Sequence, residues 1–410
     1  SREMAWPPWA VSLPFMLSGM AALIFEMDWF RLLAQIIGPS VHAFSVTLAV
    51  YLLGIGLGSL LAAATVRRIS NPRAALGLGL AYVALAALGT RLYINELPLL
   101  YGRLFLWLSS DSFTIRILLI QAAAAALAII PVTLGLGFLF PLATRACSAG
   151  TNPGTDVNDS HVGGLLFLNT LGGGVGCLLA GFGLLPRLGV SGTLAITAGA
   201  LICAAAALLL TAKQWQGSHR WGAAAAGLAV TMLLLFLASP ANQAVLTAGV
   251  YAEMLNRDKF RQLLAKGDRE VFGGDLIFLR EGINNVVSVV ANRYGDGELT
   301  LHLSGQWEAS TDLLNRVHLH MLGHLPMLFA RQTESAAVIG LGTGITTGSL
   351  LRYPTLRNLD LLEIEPAVVA AAQLYDFVNH RPLADPRTQL ILMDGRSQLT
   401  YGSRTYDVIS

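Results

Sequence analysis

The stretch "VIGLGTGITTGSL", Val338 to Leu350, decides how the C-terminal part of this chain folds. Its glycines follow the spacing G-x-G-x-G, at Gly340, Gly342 and Gly344, directly after a short apolar run that is typical of a buried strand. Such a loop lets backbone amides approach a ligand at the N-terminus of the helix that follows. The dinucleotide fingerprint would need a glycine at position 345, where Ile345 stands, so the loop argues against NAD or FAD.

Two acidic residues follow the loop at the ends of two further predicted strands. The segment "LRNLDLLEIEP" predicts a strand that ends at Glu363, and "RTQLILMDGR" predicts one that ends at Asp394. The carboxyl ends of parallel strands meet at one edge of a sheet. There a carboxylate at Glu363 can accept hydrogen bonds from both hydroxyls of a ribose, and Asp394 would lie over the adenine. A glycine loop followed by two such acids predicts a site for an S-adenosyl-type nucleoside.

The residues around this site divide the second part of the chain. Residues 241–311 contain short runs of β-branched residues, and we predict a small antiparallel β-domain with a linker there. A helix is expected over Asp312 to Phe329, and strands then alternate with helices. We therefore predict that residues 312–410 form a Rossmann-like α/β domain of the methyltransferase type, which binds the nucleoside.

The first 240 residues have the composition of a membrane protein. They hold 12 Lys/Arg and 7 Asp/Glu, against 15 and 18 in the shorter remainder. About seven apolar stretches approach or exceed the roughly 20 residues that cross a hydrocarbon core. They are 11–37, 42–66, 74–94, 115–142, 162–186, 190–212 and 221–239. We predict a transmembrane helical bundle over residues 1–240, and with a net charge of only +2 we expect no nucleic-acid partner.

Small and charged residues recur inside these stretches. Small residues at i, i+4 spacing let membrane helices pack closely, and they occur at Gly54, Gly58 and Ala62 and at Gly172, Gly176 and Ala180. The first stretch also contains Glu26, Asp28 and Arg31. These three residues form either an acidic site for a cationic solute or a self-neutralised cluster that fixes packing.

Several segments resemble one enzyme family. In chain order, "LREGINNVVSVV", "LHLSGQWEASTD", "LGHLPMLF", "LDLLEIEPAVVAAA" and "YDVIS" resemble the spermidine synthase, or polyamine aminopropyltransferase, family. The opening "LSGMAALIFEMDWFRLLAQIIG" is similar to the multi-span membrane branch of that family, whose first helices are major-facilitator-like. The resemblance implies transfer of an aminopropyl group from decarboxylated S-adenosylmethionine to putrescine or a related amine, without a metal.

The resemblance also implies roles for individual residues. The donor would be bound by Gly340, Gly342, Thr343, Gly344, Glu363, Asp394 and Gly395, and the amine acceptor by Gln306, Glu308, His318 and His324. The family's catalytic acid follows the fourth strand, so we expect it just after Ser410, outside this chain, and expect the last domain to be incomplete. Thr343 departs from the family, which has an Asp at that position to hold the donor's amine.

Two alternatives stay open. Because position 343 holds Thr instead of the Asp found in the family, the chain is alternatively an S-adenosylmethionine-dependent methyltransferase. Because the predicted spans take up more than half of the chain, it is alternatively a polyamine transporter or sensor whose nucleoside domain is not catalytic. A metal site is not expected at His318, His320 and His324, since only the last two share a helix face and no carboxylate completes the set.

The predicted surroundings follow from the spans. We expect a multi-pass protein of the inner cell membrane, with the lipid bilayer and a small polyamine as partners and a homodimer as its assembly. Counting Lys and Arg in the connections of seven spans places the nucleoside domain outside the cell. Adenosyl donors are cytosolic, so we nevertheless expect that domain in the cytosol.

Overall fold

The computed structural model describes residues 8–108, 112–148, 159–211, 242–247, 249–253, 274–282, 284–292 and 297–410, together with the single residues 227, 231 and 261. The chain divides into two compact units, Ser1–Asn242 and Gln243–Ser410.

The N-terminal unit is made of long apolar helices. They are α1 (Trp9–Ile37), α2 (Val41–Thr65), α3 (Pro72–Gly89), α4 (Leu97–Trp107), α5 (Phe113–Ser148), α6 (Asp159–Leu179) and α7 (Leu185–Thr211). Side-chain caps mark where two of them begin. Ser40 Oγ accepts the Ala43 N–H at 3.1 Å before α2, and Asn71 Oδ1 accepts the Ala74 N–H at 3.1 Å before α3.

Five helical runs of the described residues are long and apolar enough to cross a membrane. They are Trp9–Ile37, Val41–Arg68, Pro72–Leu92, Phe113–Ser148 and His161–Leu210. The first four predicted spans each fall in a run of their own. The fifth and sixth share the last run, which passes through a π-helical turn at Ala180–Leu184 and is broken at Gly189, with φ 66° and ψ 179°. The seventh predicted span, 221–239, lies outside the described residues apart from two single positions.

Glycines let two pairs of these helices pack backbone against backbone. On α6, a Cβ atom at Gly172 or Gly176 would clash with the carbonyl oxygens of Met16 or Met20 on α1. On α2, a Cβ atom at Gly58 would clash with the Leu134 carbonyl oxygen of α5. Where helices cross lipid, no hydrophobic force acts between them, and close contact of this kind holds helix pairs together. The packing role predicted from the small-residue spacing is confirmed for both pairs.

The C-terminal unit begins with two short helices and an antiparallel sheet. The helices are α8 (Gln243–Leu246) and α9 (Val250–Glu253), and the strands are β1 (Asp275–Glu281), β2 (Val286–Ala291), β3 (Leu299–Leu303) and β4 (Gln306–Ser310). The strands pair in the order β1-β2-β3-β4. Helix α10 (Leu313–Phe329) follows, and Asp312 caps it by accepting the Asn315 N–H at 3.0 Å.

A parallel sheet completes this unit. Its strands are β5 (Ser335–Ile339), β6 (Asn358–Glu363), β7 (Thr388–Leu392) and β8 (Val408–Ile409), in the order β7-β6-β5-β8. The connecting helices are α11 (Ile345–Leu350), α12 (Pro366–Ala372), α13 (Asp376–Asn379) and α14 (Gly395–Tyr401). The chain leaves β5 toward β6 on one side and returns to its other side as β8. In open α/β sheets, ligands bind in the crevice at the carboxyl ends of the strands beside such a reversal.

Both sheets of this unit share one hydrophobic core. Val287, Val289 and Leu301 of the antiparallel sheet belong to the same buried cluster as Leu359 and Leu361 of the parallel sheet. The helices α10, α11 and α12 also contribute side chains to this cluster. The prediction of a helical N-terminal part followed by an antiparallel and a parallel sheet is therefore confirmed at this level, whereas the number of membrane spans stays a prediction.

Candidate functional site

The glycine loop opens directly after β5. The Gly340 N–H donates to the Leu362 carbonyl at 2.7 Å, so the start of the loop is held against β6. Gly340 and Gly342 have positive φ angles, 88° and 55°, and a Cβ atom at either position would meet no atom within 4 Å. Within the described residues, the N–H groups of Gly342 and Thr343 have no hydrogen-bond acceptor. The loop therefore presents free amide donors beside open space, as a bound ligand requires.

Glu363 lies beside this loop at the end of β6. Its side chain is buried, and its Oε2 accepts the Leu341 N–H at 2.8 Å while its Oε1 accepts the Glu365 N–H at 2.8 Å. An ionised carboxylate has about four acceptor positions. Two positions are occupied by these amides, so two remain for a pair of hydroxyl donors. The structure thus brings Glu363 to the glycine loop, and its role in binding a ribose stays a prediction.

Asp394 lies at the end of the neighbouring strand and caps α14. Its Oδ1 accepts the Ser397 N–H at 2.8 Å and the Ser397 hydroxyl at 2.7 Å, and these bonds hold the pKa of the Asp394 carboxyl below its usual range. Its Oδ2 has no partner in the described part of the chain. Gly395 follows, and a Cβ atom there would lie 2.7 Å from the Ile339 Cγ2 atom. Gly395 therefore lets α14 approach the end of β5.

The remaining loop residues are held from behind by Asn379. Thr343 is buried, and its carbonyl accepts a hydrogen bond from Asn379 Nδ2 at 2.9 Å. The same amide group donates to the Ala372 carbonyl at 3.0 Å. A Cβ atom at Gly344 would lie 2.9 Å from Asn379 Nδ2, so the absence of a side chain at Gly344 leaves space for the Asn379 amide group. No sequence pattern predicts Asn379, because it is the last residue of a one-turn helix and belongs to no periodic pattern or motif.

The two predicted acceptor residues of the small sheet lie on its edge strand. Gln306 and Glu308 are both exposed on β4, where the pairing with β3 shifts register between Leu301 and His302 and leaves Glu308 without a paired residue. Gln306 is paired with Leu303 of β3. Although Glu308 as a residue is exposed, partial burial of its carboxyl group raises its pKa. Their role in binding an amine stays a prediction.

The predicted histidines are spread along α10. His318 is exposed, whereas the Nδ1 atoms of His320 and His324 lie 2.8 Å from the Ser349 hydroxyl and 3.2 Å from the Tyr353 hydroxyl. Tyr353 follows the end of α11 that is remote from the glycine loop. The structure therefore places His324 against the far end of α11 and does not bring it to the loop. Substrate binding by His318 and His324 stays a prediction.

Glu365 was also missed by the sequence analysis. It is buried two residues after Glu363, and its carboxylate reaches the turn between β1 and β2. The acid at the end of β6, Glu363, was the signal that pointed to the site, and a second acid two residues later carried no separate meaning in the sequence.

Comparisons with known proteins address the same region. Residues 316–410 match the spermine/spermidine synthase domain. Polyamine aminopropyltransferase 2 of Streptomyces coelicolor is 29% identical over 403 residues, which are 94% of this chain and 64% of that protein. Putrescine N-methyltransferase 3 of Nicotiana tabacum is 33% identical over 78 residues, which are 19% of this chain and 20% of that protein.

A crystal structure of spermidine synthase from Thermotoga maritima is similar over 33% of this chain and 47% of its own, with 22% identity and a TM-score of 0.30. The chain spans less than two thirds of the length of the two curated relatives. Residues 316–410 carry the similarity of this chain to the spermine/spermidine synthase family.

Proposed function

We propose that this chain is a membrane-bound, spermidine synthase-like aminopropyltransferase that acts on decarboxylated S-adenosylmethionine and on putrescine or a related amine. The observation that carries the proposal is Glu363, whose carboxylate keeps two acceptor positions beside a loop of open glycines. The Streptomyces coelicolor relative supports the reaction, because its similarity extends over nearly the whole chain, helices included. The five long apolar helices support the membrane location.

Polar groups of the donor each have a candidate hydrogen-bond partner among the described residues. The two ribose hydroxyls would donate to Glu363, and the exocyclic amine of adenine would donate to the free Oδ2 of Asp394. The amides of Gly342 and Thr343 would face the donor along the loop. When bound, the donor supplies a carbon atom activated by a positively charged sulfur. The residues named here hold and orient it, and the base that takes the acceptor's proton is not among them.

The direct test is nucleoside binding to the wild type and to Glu363→Gln. We expect calorimetry to detect decarboxylated S-adenosylmethionine and methylthioadenosine with the wild type. A carboxamide keeps one acceptor atom and loses the charge, so binding should weaken by about 1.5–3 kcal/mol. Glu334→Gln is the matched control, because Glu334 is exposed and pairs with Arg357 at the amino ends of the strands. No binding of either nucleoside to the wild type would remove the basis of the proposal.

A second candidate is methyl transfer from S-adenosylmethionine. Two observations favour it: Thr343 offers no charge for the amine of the decarboxylated donor, and one relative is named putrescine N-methyltransferase. The two donors differ by one carboxylate. Competition between them for the wild-type protein decides the matter, since preference for the carboxylated donor would replace aminopropyl transfer with methyl transfer.

We further propose that the nucleoside site lies in the cytosol, where adenosyl donors are made. A cysteine placed at Thr300, in β3 of the C-terminal unit, tests the side of the membrane. In a background without the native cysteines, a membrane-impermeant maleimide added to intact cells should leave it unlabelled. Labelling before the cells are opened would place the unit outside.

A further inference from the structure

A single buried carboxylate joins the two sheets of the C-terminal unit. Glu365 Oε2 accepts the N–H groups of Asn284 at 3.0 Å and Asn285 at 3.2 Å, in the turn between β1 and β2. Its Oε1 accepts the Ala367 N–H at 3.2 Å, in the first turn of α12. The residue is 2% exposed, so these charge-assisted bonds are shielded from water. Both oxygens are therefore committed to backbone amides on opposite sides of the contact.

The turn has the shape that this contact needs. The Gly282 N–H donates to the Asn285 carbonyl at 2.8 Å and closes the turn. A Cβ atom at Gly282 would clash with the carboxylate of Glu365. Only a residue without a side chain lets the turn come this close to the acid.

On the side of the proposed nucleoside site, two further hydrogen bonds connect Glu365 with the glycine loop through Glu363. The Glu365 N–H donates to Glu363 Oε1 at 2.8 Å, and Glu363 Oε2 accepts the Leu341 N–H from the glycine loop at 2.8 Å. The carboxylate predicted to hold the ribose is therefore bonded directly to the backbone of Glu365.

Toward the small sheet, the contact reaches the next turn. The Ser304 hydroxyl donates to Asn285 Oδ1 at 3.2 Å and accepts the Val286 N–H at 3.3 Å. Ser304 lies in the turn between β3 and β4 with a φ of 49°, two residues before Gln306. Four consecutive hydrogen-bonded links thus connect the glycine loop with the start of the strand that carries Gln306 and Glu308.

We propose that Glu365 is a positioning residue that couples the nucleoside loop to the turns of the small sheet. Hydroxyls that bind Glu363 fix its carboxylate, and this fixes the backbone of Glu365 and the amides that its side chain holds. Binding of the nucleoside therefore orders the β1–β2 turn and, through Asn285 and Ser304, the start of β4. This inference rests on the proposed function for the nucleoside at Glu363, and it assigns the β4 strand to the acceptor side of the same site.

Hydrogen exchange of the full chain, with and without methylthioadenosine, tests the coupling. In the wild type, the nucleoside should slow amide exchange in peptides that cover 284–286 and 303–306. In Glu365→Gln, one acceptor is replaced by an NH2 group that faces backbone N–H groups. Exchange at 284–286 should then be faster by about tenfold or more without ligand, as expected when bonds to a buried charge are lost. The slowing by nucleoside should disappear, with the affinity within about threefold of the wild type.

Asn285→Ala isolates the last link, and it keeps every backbone bond to Glu365. In this variant the nucleoside should still slow exchange at 284–286 but no longer at 303–306. It also provides the test if Glu365→Gln does not fold. Asn358→Ala, at the exposed amino end of β6, is the matched control and should behave like the wild type.

The outcomes separate the two proposals. If the wild type binds methylthioadenosine but the Glu365→Gln and Asn285→Ala variants keep the full slowing at both turns, the coupling is wrong and the proposed function stands. If the wild type binds no adenosyl nucleoside, the proposed function fails and the coupling fails with it.

Discussion

At the scale of single residues, the proposed nucleoside site is supported by side chains that were not predicted to bind the ligand. Asn379 is 1% exposed and uses its amide to hold the carbonyls of Thr343 and Ala372, while its Oδ1 accepts the Arg381 N–H at 2.9 Å. One side chain therefore ties the glycine loop to the end of α12. Because the amides of Gly342 and Thr343 have no acceptor within the described residues, the position of this part of the loop depends on contacts such as those of Asn379.

We expect Asn379→Ala to lower the free energy of unfolding of the C-terminal unit by about 1–3 kcal/mol, since buried carbonyl groups lose their donors. The urea dependence of hydrogen exchange in β5 and β6 measures this change. Asn358→Ala removes an exposed amide from the same sheet and should change the value by less than about 0.5 kcal/mol. Equal effects of the two substitutions would mean that the hydrogen bonds of the Asn379 side chain contribute nothing to the free energy of unfolding.

A pH dependence follows from His320. Burial, and then the charges of His324, His380 and Arg316, lower the pKa of His320 from its ordinary value of 6.5. As the pH falls through 6.5, the unfolded chain takes up a proton that the folded chain does not, so stability declines toward acid. We expect the urea midpoint of the C-terminal unit to fall between pH 7.5 and pH 5.5, and to fall less in His320→Gln. The same substitution at the exposed His318 serves as the control, and an identical slope in both variants would exclude His320 as the cause.

At the scale of secondary-structure elements, helix pairs in the N-terminal unit depend on the absence of side chains. Gly172 and Gly176 on α6 face the carbonyl oxygens of Met16 and Met20 on α1. Gly174 lies on the same helix, and a Cβ atom there would meet nothing within 4 Å. Helix α6 thus carries the packing glycines and also Gly174, which serves as the control position for substitutions.

We expect Gly176→Leu to force α1 and α6 apart and to destabilise the unit by about 1–3 kcal/mol or more, the usual cost of overpacking. The measurement is the thermal midpoint of the protein in detergent, followed by size-exclusion chromatography after heating. Gly174→Leu adds the same side chain on the open face and should leave the midpoint nearly unchanged. A similar loss in both variants would point to helix propensity rather than contact between helices.

Sequence patterns predicted the elements of the site better than the contacts between them. Gly340, Gly342 and Glu363 were predictable because each lies at the end of an apolar strand, a local signal. Glu365 and Asn379 were not, because their partners lie 81 and 36 residues away along the chain. Hydropathy separated the fifth and sixth spans at residues 187–189, and the structure breaks the helical run within this gap, at Gly189.

At the scale of the whole molecule, the two sheets of the C-terminal unit share a core and should unfold together. Leu361 is fully buried in β6, within the cluster that contains Val287 and Val289 of β2. We expect Leu361→Ala to cost about 2–5 kcal/mol, through lost transfer energy and the cavity left behind. Hydrogen exchange in urea should show β2 and β6 losing protection at the same, lowered midpoint. If β2 keeps the wild-type midpoint, the antiparallel sheet is an independent folding unit.

The open space around the glycine loop has a consequence for chirality. At Gly340 and Gly342 a side chain would meet no neighbouring atom, so volume does not exclude it. What excludes it is handedness, because L-residues are strained at φ angles of 88° and 55° and their mirror images are not. A D-alanine placed at position 342 by chemical ligation would therefore keep the backbone path of the loop. Gly176 differs from these two loop glycines, because the neighbouring helix leaves no volume there for a side chain of either handedness.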